Sequence, residues 1–254
     1  MSGRLADKVA VVSGFSSGIG RETALVFARE GASVFGADID VDGARETVEI
    51  AAREGFKIED FTPVDMFVAE KVRSFMNEVG SKHGSIDVLV NAAAFAAFAP
   101  LEDTTLEAFR STMVGEIESV FYATQAAWPH LKARGGSVIN FASVNAHQAV
   151  EGVDGIAHTA GKGGVLAMTR QIAFEGARYG IRANSISPGF IVTGATRPFI
   201  DADPKNAELM KGQAIIGRLG RPLDIANGCL FLASDESSFV TAADLRIDGG
   251  MTAR

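Results

Sequence analysis

The chain has 254 residues, 47% hydrophobic and 22% charged, a composition that fills one α/β core and excludes disordered and collagen-like classes. Its 24 Lys plus Arg against 31 Asp plus Glu give a net charge of −7 without a basic block, so nucleic acid is not an expected partner. No apolar run reaches the about 18 residues of a membrane span, the opening M-S-G-R-L-A-D-K lacks a leader's apolar stretch, and the one cysteine, Cys229, offers neither an internal disulfide nor a zinc cluster. The expectation is a cytoplasmic globular enzyme with no metal and no membrane contact.

Strand-length apolar runs alternate with longer amphipathic segments. Lys8–Ser13 reads as a strand ending at Gly14, and Arg21–Glu30 as a helix stopped by Gly31. A strand over Ser33–Ala37 ends at Asp38, and a helix over Asp42–Glu54 ends at Gly55. A third strand is expected to end near Val64–Asp65, followed by a helix over Ala69–His83 and a strand over Ile86–Val90. Leu106–Arg134 holds one or two long helices, Ser137–Phe141 a fifth strand, Gly155–Tyr179 a helix and Ile181–Ile186 a sixth strand. After Pro188-Gly189, the irregular stretch Gly194–Gly217, with Pro198 and Pro204, reads as a mobile substrate lid or an ordinary surface excursion. A helix over Leu223–Ala233 and a strand over Ala243–Ile247 close the chain. Strands alternating with helices imply βαβ units, and near-continuous apolar strands imply a parallel sheet covered on both faces. The fold class is a single-domain, doubly wound α/β Rossmann architecture spanning residues 1–254.

Ser13-Gly14-Phe15-Ser16-Ser17-Gly18-Ile19-Gly20 lies between the first strand and the first helix. Glycines there permit a tight turn and let backbone N–H groups approach a pyrophosphate, and the helix end adds partial positive charge. Asp38, at the end of the second strand, is placed to accept hydrogen bonds from adenosine ribose hydroxyls and to repel a 2′-phosphate. Neither Ile39 nor Ser17 offers a base to such a phosphate. NAD is therefore expected over NADP, with Asp38 as a plain turn residue the alternative.

With these motifs the sequence resembles the short-chain dehydrogenase/reductase family over nearly its whole length. The glycine turn is similar to the family's T-G-x-x-x-G-x-G with Ser13 for Thr, and Asp65 in P-V-D matches its adenine-binding acid. V-N-A-A-A matches N-N-A-G, retaining Asn91, and Pro188-Gly189-Phe190-Ile191-Val192-Thr193 matches the segment that meets the nicotinamide carboxamide and phosphates. The closing F-L-A-S-D-E-S-S-F-V-T and D-G-G are also similar. The resemblance implies coenzyme contacts at Gly14, Ser16, Ser17, Gly18, Ile19, Gly20, Asp38, Ile39, Asp65, Met66, Asn91, Ala93, Lys162, Pro188, Gly189, Ile191 and Thr193.

The family's catalytic set is an Asn, a Ser, and a Tyr four residues before a Lys. Ser143 and Lys162 match, but His158 stands where the Tyr belongs and Glu116 where the Asn does. The two tyrosines, Tyr122 and Tyr179, do not precede a Lys by four, so realignment does not restore the motif. His158 and Lys162, at i and i+4, share a helix face. Free imidazole titrates near pH 6.5, against about 10 for a phenol, so it is already poised as a base. The implied roles are His158 as acid/base, Ser143 holding the substrate oxygen, Lys162 on the nicotinamide ribose and Glu116 tuning or relaying. A redox-silent NAD-binding protein and a non-redox elimination or addition are the alternatives.

Ala93–Phe98, Asn145–Val153 and the 194–217 stretch supply candidate pocket residues, with Phe95, Phe98, Phe190 and Phe199 making them apolar. The expected substrate is a small to medium hydroxylated or carbonyl compound. His147 and His130 have no placed partners and read as solvent-facing or capping residues, and His83 reads as a cation at a helix end. The resemblance also implies a homo-oligomer, tetramer or dimer, paired through 106–134 and 155–179, where Ala123, Ala126, Ala127, Gly163, Gly164 and Ala167 permit close helix approach or internal packing.

Overall fold

A computed structural model describes residues 3–253. Seven strands form one fully parallel sheet: β1 (Val9–Ser13), β2 (Ser33–Ala37), β3 (Ile58–Asp60), β4 (Val88–Asn91), β5 (Gly136–Phe141), β6 (Ile181–Pro188) and β7 (Asp244–Ile247). Their spatial order is β3-β2-β1-β4-β5-β6-β7. Alternate residues of β1 supply two cores, as the two-residue period of a strand requires. Ala10 and Val12 pack with Phe15, Phe27, Ile186, Ile225 and Leu230 on one face. Val9 and Val11 pack with Phe35, Phe75, Met76, Leu89, Leu131 and Val138 on the other. Helices α1 (Gly18–Arg29), α2 (Val41–Arg53) and α9 (Pro222–Ala233) cover the first face, and α3 (Ala69–His83), α5 (Ser119–Leu131) and α6 (Ile156–Gly176) the second.

Several boundaries follow local chemistry. Asp40 caps α2 by accepting from Gly43 N–H at 3.1 Å, and α3 ends at Gly84 with φ +77°, the left-handed position that glycine occupies without strain. The third strand stops at Asp60, short of the expected Val64–Asp65. Pro63 has no N–H for a ladder, and Val64 donates instead to Asp38 O at 2.7 Å, past the end of β2. The segment expected as one or two long helices is α4 (Leu106–Met113) and α5, joined by a wider π-helical turn at Val114–Glu118. The stretch 194–217 contains α7 (Arg197–Ala202) and α8 (Pro204–Gln213).

His147 and His130 depart from expectation in having partners, and His83 stands at the expected helix end. His147 Nε2 lies 2.9 Å from Asp244 Oδ2 and 3.2 Å from Ser187 Oγ, fastening the segment after Ser143 to β6 and β7. His130 pairs with Asn77 Oδ1 at 3.1 Å. His83 ends α3 with its ring 4.6 Å from that of Phe35 and Nε2 buried without a partner. Among the described residues no helix is long and apolar enough to cross a membrane.

Candidate active site

In an open parallel sheet of this order, ligands bind at the carboxyl ends of the strands where the winding direction reverses. β1 and β4 flank that point. A cleft of about 570 Å3 opens there, lined by Gly14, Ser16–Gly20, Asp38–Asp40, Val64–Phe67, Ala92–Phe95, Thr193 and Ala195. Gly14 has φ +71°, and a Cβ on it would come within 2.6 Å of Ala93 N, so glycine is what lets the turn close against the loop after β4. A Cβ on Gly20 would overlap Gly14 O. Ser17 opens α1 without a side-chain cap, leaving first-turn N–H groups for an anion.

Asp38 tightens the same turn. Its Oδ2 accepts from Ser16 N–H at 3.1 Å, and Oδ1 from Ile39 and Asp40 N–H at 2.7 and 3.1 Å. A carboxylate has about four acceptor positions, so Asp38 holds the loop and keeps capacity for a hydroxyl donor. Asp65 and Met66 also line the cleft, whereas Gly189 and Ile191 line a separate cavity of about 230 Å3. Asn91 and Pro188 line neither. Asn91 is buried, its Nδ2 donating to Asn140 Oδ1 at 2.8 Å and Thr124 Oγ1 at 3.3 Å.

The four candidate catalytic residues come from three elements and meet. The π-helical turn carries Glu116, the end of β5 leads to Ser143, and the first turns of α6 carry His158 and Lys162. His158 Nδ1 lies 2.6 Å from Glu116 Oε1 and its Nε2 3.4 Å from Ser143 Oγ. Lys162 Nζ donates to Phe141 O at 3.0 Å and sits 3.8 Å from Glu116 Oε1. Ser143 Oγ also accepts from Asn145 N–H at 3.2 Å. Burial holds the Lys162 ammonium below the usual lysine range, and the adjacent Glu116 charge opposes that shift. A carboxylate only accepts, so the Nδ1 it faces carries a proton, and Nε2 is the ring nitrogen that faces Ser143 Oγ.

Glu116 is only 2% exposed. Its Oε2 points at Gly161, where any Cβ would overlap it, and has no hydrogen-bond partner. The glycine preceding Lys162 is thus what admits a carboxylate at this depth. Gly115, in the same π-helical turn, lets the backbone approach Phe95 O, 2.5 Å from where a Cβ would stand. Phe98 packs against His158 with ring centroids 5.1 Å apart, and a bridge between Ala99 and Gly155 ties the loop after β4 to the start of α6. Phe95, Phe98 and Phe199 are about half exposed (48, 56 and 45%), while Phe190 packs with Val144, Val150, Val153 and Met251. The contacts of Gly161 and the tilted Phe98–His158 ring contact are not read in the sequence; the pairing of a longer acid at 116 with a glycine at 161 is the available signal.

Residues 14–252 match a family model described as enoyl-(acyl carrier protein) reductase. The chain is 36% identical to an uncharacterized oxidoreductase, YxbG, of Bacillus subtilis, covering 99% of this chain and 93% of that protein. It is 33% identical to a cyclopentanol dehydrogenase of Comamonas testosteroni, covering 99% of each. A short-chain type dehydrogenase/reductase from Mycobacterium marinum superimposes with a TM-score of 0.92 at 31% identity, over 98% of this chain and 97% of that one. With a reversal-point cleft, a glycine turn and a Ser–His–Lys–Glu cluster beside it, the chain belongs to the short-chain dehydrogenase/reductase family of oxidoreductases.

Proposed function

We propose that the chain oxidises a small secondary alcohol with NAD, using His158 Nε2 as the base. The observation that carries this reading is the 2.6 Å contact between His158 Nδ1 and Glu116 Oε1, which leaves Nε2 as a proton acceptor beside Ser143 Oγ. A bound nicotinamide supplies the hydride acceptor. Ser143 holds the alcohol oxygen, and the hydroxyl proton passes to Nε2 as the carbonyl forms. Glu116 keeps Nδ1–H oriented and offsets the imidazolium charge. Lys162 meets the nicotinamide ribose. Imidazole is shorter than a phenol by about two bond lengths, so the substrate sits closer to α6 or a water bridges the gap.

The half-exposed Phe98 against His158 suits an alicyclic body, and the cyclopentanol dehydrogenase relative supports that choice. Mixing the protein with NAD and cyclic secondary alcohols is expected to raise reduced-nicotinamide absorbance. Calorimetric NAD binding without turnover on any alcohol would instead favour a redox-silent protein.

The NAD preference rests on Asp38 and on Arg21, whose guanidinium is held by Glu46 at 2.8 Å and by Ser16 O. kcat/KM is expected to favour NAD over NADP by at least about tenfold, a difference of about 1.4 kcal/mol. Asp38→Asn removes the repulsion and narrows the ratio. A wild-type enzyme that prefers NADP contradicts the assignment.

The homo-oligomer is assigned to the outer faces of α5 and α6. A groove of about 390 Å3 lies between them, lined by Phe121, Trp128, Met168 and neighbours, and Phe174 is 79% exposed. Ala123 and Ala127 are buried within the chain, and Gly164 faces Ile117, so they serve internal packing. Gly163 has open space beside it, and Ala167 is exposed. Light scattering at micromolar concentration is expected to give a dimer or tetramer, and Phe174→Asp a smaller species. A monomeric wild type would overturn this pairing.

A further inference from the structure

A tyrosine presents one reactive oxygen, whereas an imidazole has two nitrogens and can stand between a carboxylate and a hydroxyl. Here it does both. Glu116 Oε1 lies 2.6 Å from His158 Nδ1, and His158 Nε2 lies 3.4 Å from Ser143 Oγ. At 3.4 Å the Ser143 hydroxyl stands at the long end of the base's reach and equally far from Asn145 Oδ1, to which it also donates; with that contact closed and the base oriented by a third group, this is the arrangement that activates a serine nucleophile. The orienting acid is buried, the histidine side chain is 14% exposed, and the Asn145 N–H that donates to Ser143 Oγ at 3.2 Å favours the charged form of that oxygen.

We propose that Ser143, His158 and Glu116 form an acyl-transfer relay in the coenzyme-free protein, with Ser143 Oγ accepting an acyl group from an activated ester. In the first step Oγ forms a bond to the ester carbonyl carbon and its proton moves to His158 Nε2. The tetrahedral adduct then expels the alcohol portion, which departs with that proton from Nε2. In the second step water attacks the acyl-serine carbonyl carbon and gives a proton to Nε2. Release of the carboxylic acid returns that proton to Ser143 Oγ. No electrons change hands, and the ester and water are the only reactants. This chemistry is separate from alcohol oxidation, in which Ser143 holds the substrate oxygen and forms no bond to carbon.

An aryl acetate is the appropriate probe, because a good leaving group demands least of the oxyanion's surroundings. The full-length protein, freed of coenzyme, is mixed with p-nitrophenyl acetate, quenched and digested, and acetylated peptides are located by mass spectrometry. One acetyl group is expected on Ser143, preceded by a burst of p-nitrophenolate. Ser143→Ala removes both. His158→Asn slows the burst about a hundredfold, the lower end of what a positioned base contributes, and Glu116→Gln slows it as well. Acetylation of wild-type protein at lysines alone, with a burst unchanged in Ser143→Ala, overturns the relay. So does an unacetylated wild-type Ser143, a readout that needs no variant to fold. A wild type that reduces NAD with alcohols but never acetylates Ser143 refutes the relay alone.

Discussion

Replacing His158 with Gln is expected to lower kcat/KM for alcohol oxidation by about a hundred- to ten-thousandfold, the range that a positioned general base contributes. The effect should fall on the chemical step. The proposed role of His158 is a proton transfer with the alcohol and not a hold on the coenzyme, so NAD affinity measured by calorimetry should stay near wild type. Glutamine keeps a polar group of similar size against Glu116, which limits the packing loss beneath Phe98, yet it cannot take a proton. His158→Tyr is the sharper companion. The phenol would restore the family's usual residue but would lie against the Glu116 carboxylate, whose charge opposes formation of phenolate. It is expected to turn over more slowly than wild type, and equal or faster turnover would deny His158 a specialised role.

The second large effect is expected at a residue with no chemistry of its own. Gly161→Ala drives a methyl group into Glu116 Oε2. Glu116 is buried where the π-helical turn packs on α6, so its carboxylate must move or the two elements must separate. Displacement by about 1 Å at a site of this kind costs about a hundredfold in rate, and overpacking costs about 1–3 kcal/mol of stability. The two losses can be separated. Glu116→Gln relieves the charge but keeps the volume, so Gly161→Ala in that background should still destabilise while costing little further activity. That non-additivity is the signature of residues acting through a shared contact. If the single and double variants lose activity additively, Gly161 does not act through Glu116. Because Glu116 is also the carboxylate beside the buried Lys162 ammonium, removing its charge carries a separate cost in leaving a buried cation less compensated.

How much the sequence reveals depends on whether a feature is local. The strand Ser33–Ala37 and the helix Ala69–His83 coincide with β2 and α3, because both have clear periodicity and a local stop. Helix α1 begins at Gly18, three residues before its expected start. The last two glycines of the turn are helical, but their composition alone reads as loop. The stretch 194–217 shows the same effect on a larger scale. Pro198 and Pro204 sit in the first turns of α7 and α8, where a missing N–H costs nothing, and Asp203 accepts from Lys205 N–H at 2.9 Å to start the second helix. Taken as breakers, these prolines hide two helices.

The site divides in the same way. Ser143 and Lys162 stand out through the resemblance to the family, and the i, i+4 spacing then puts His158 on the same helix face as Lys162. Glu116 reaches them through the π-helical turn at 114–118, a change of helical pitch that leaves no pattern in the residue types. Its seat against Gly161 joins residues 45 positions apart. The contact from His147 to Asp244 spans 97 positions, and nothing near either residue signals the other.

The most direct test of the account is a crystal structure of the abortive complex with NADH and a cyclic secondary alcohol, which cannot react in that combination. The alcohol oxygen is expected between His158 Nε2 and Ser143 Oγ, about 2.6–3.2 Å from the imidazole nitrogen, with the carbinol carbon against the nicotinamide. An imidazole turned toward solvent, or an alcohol oxygen held by Lys162 with His158 beyond hydrogen-bond and single-water reach, would contradict it.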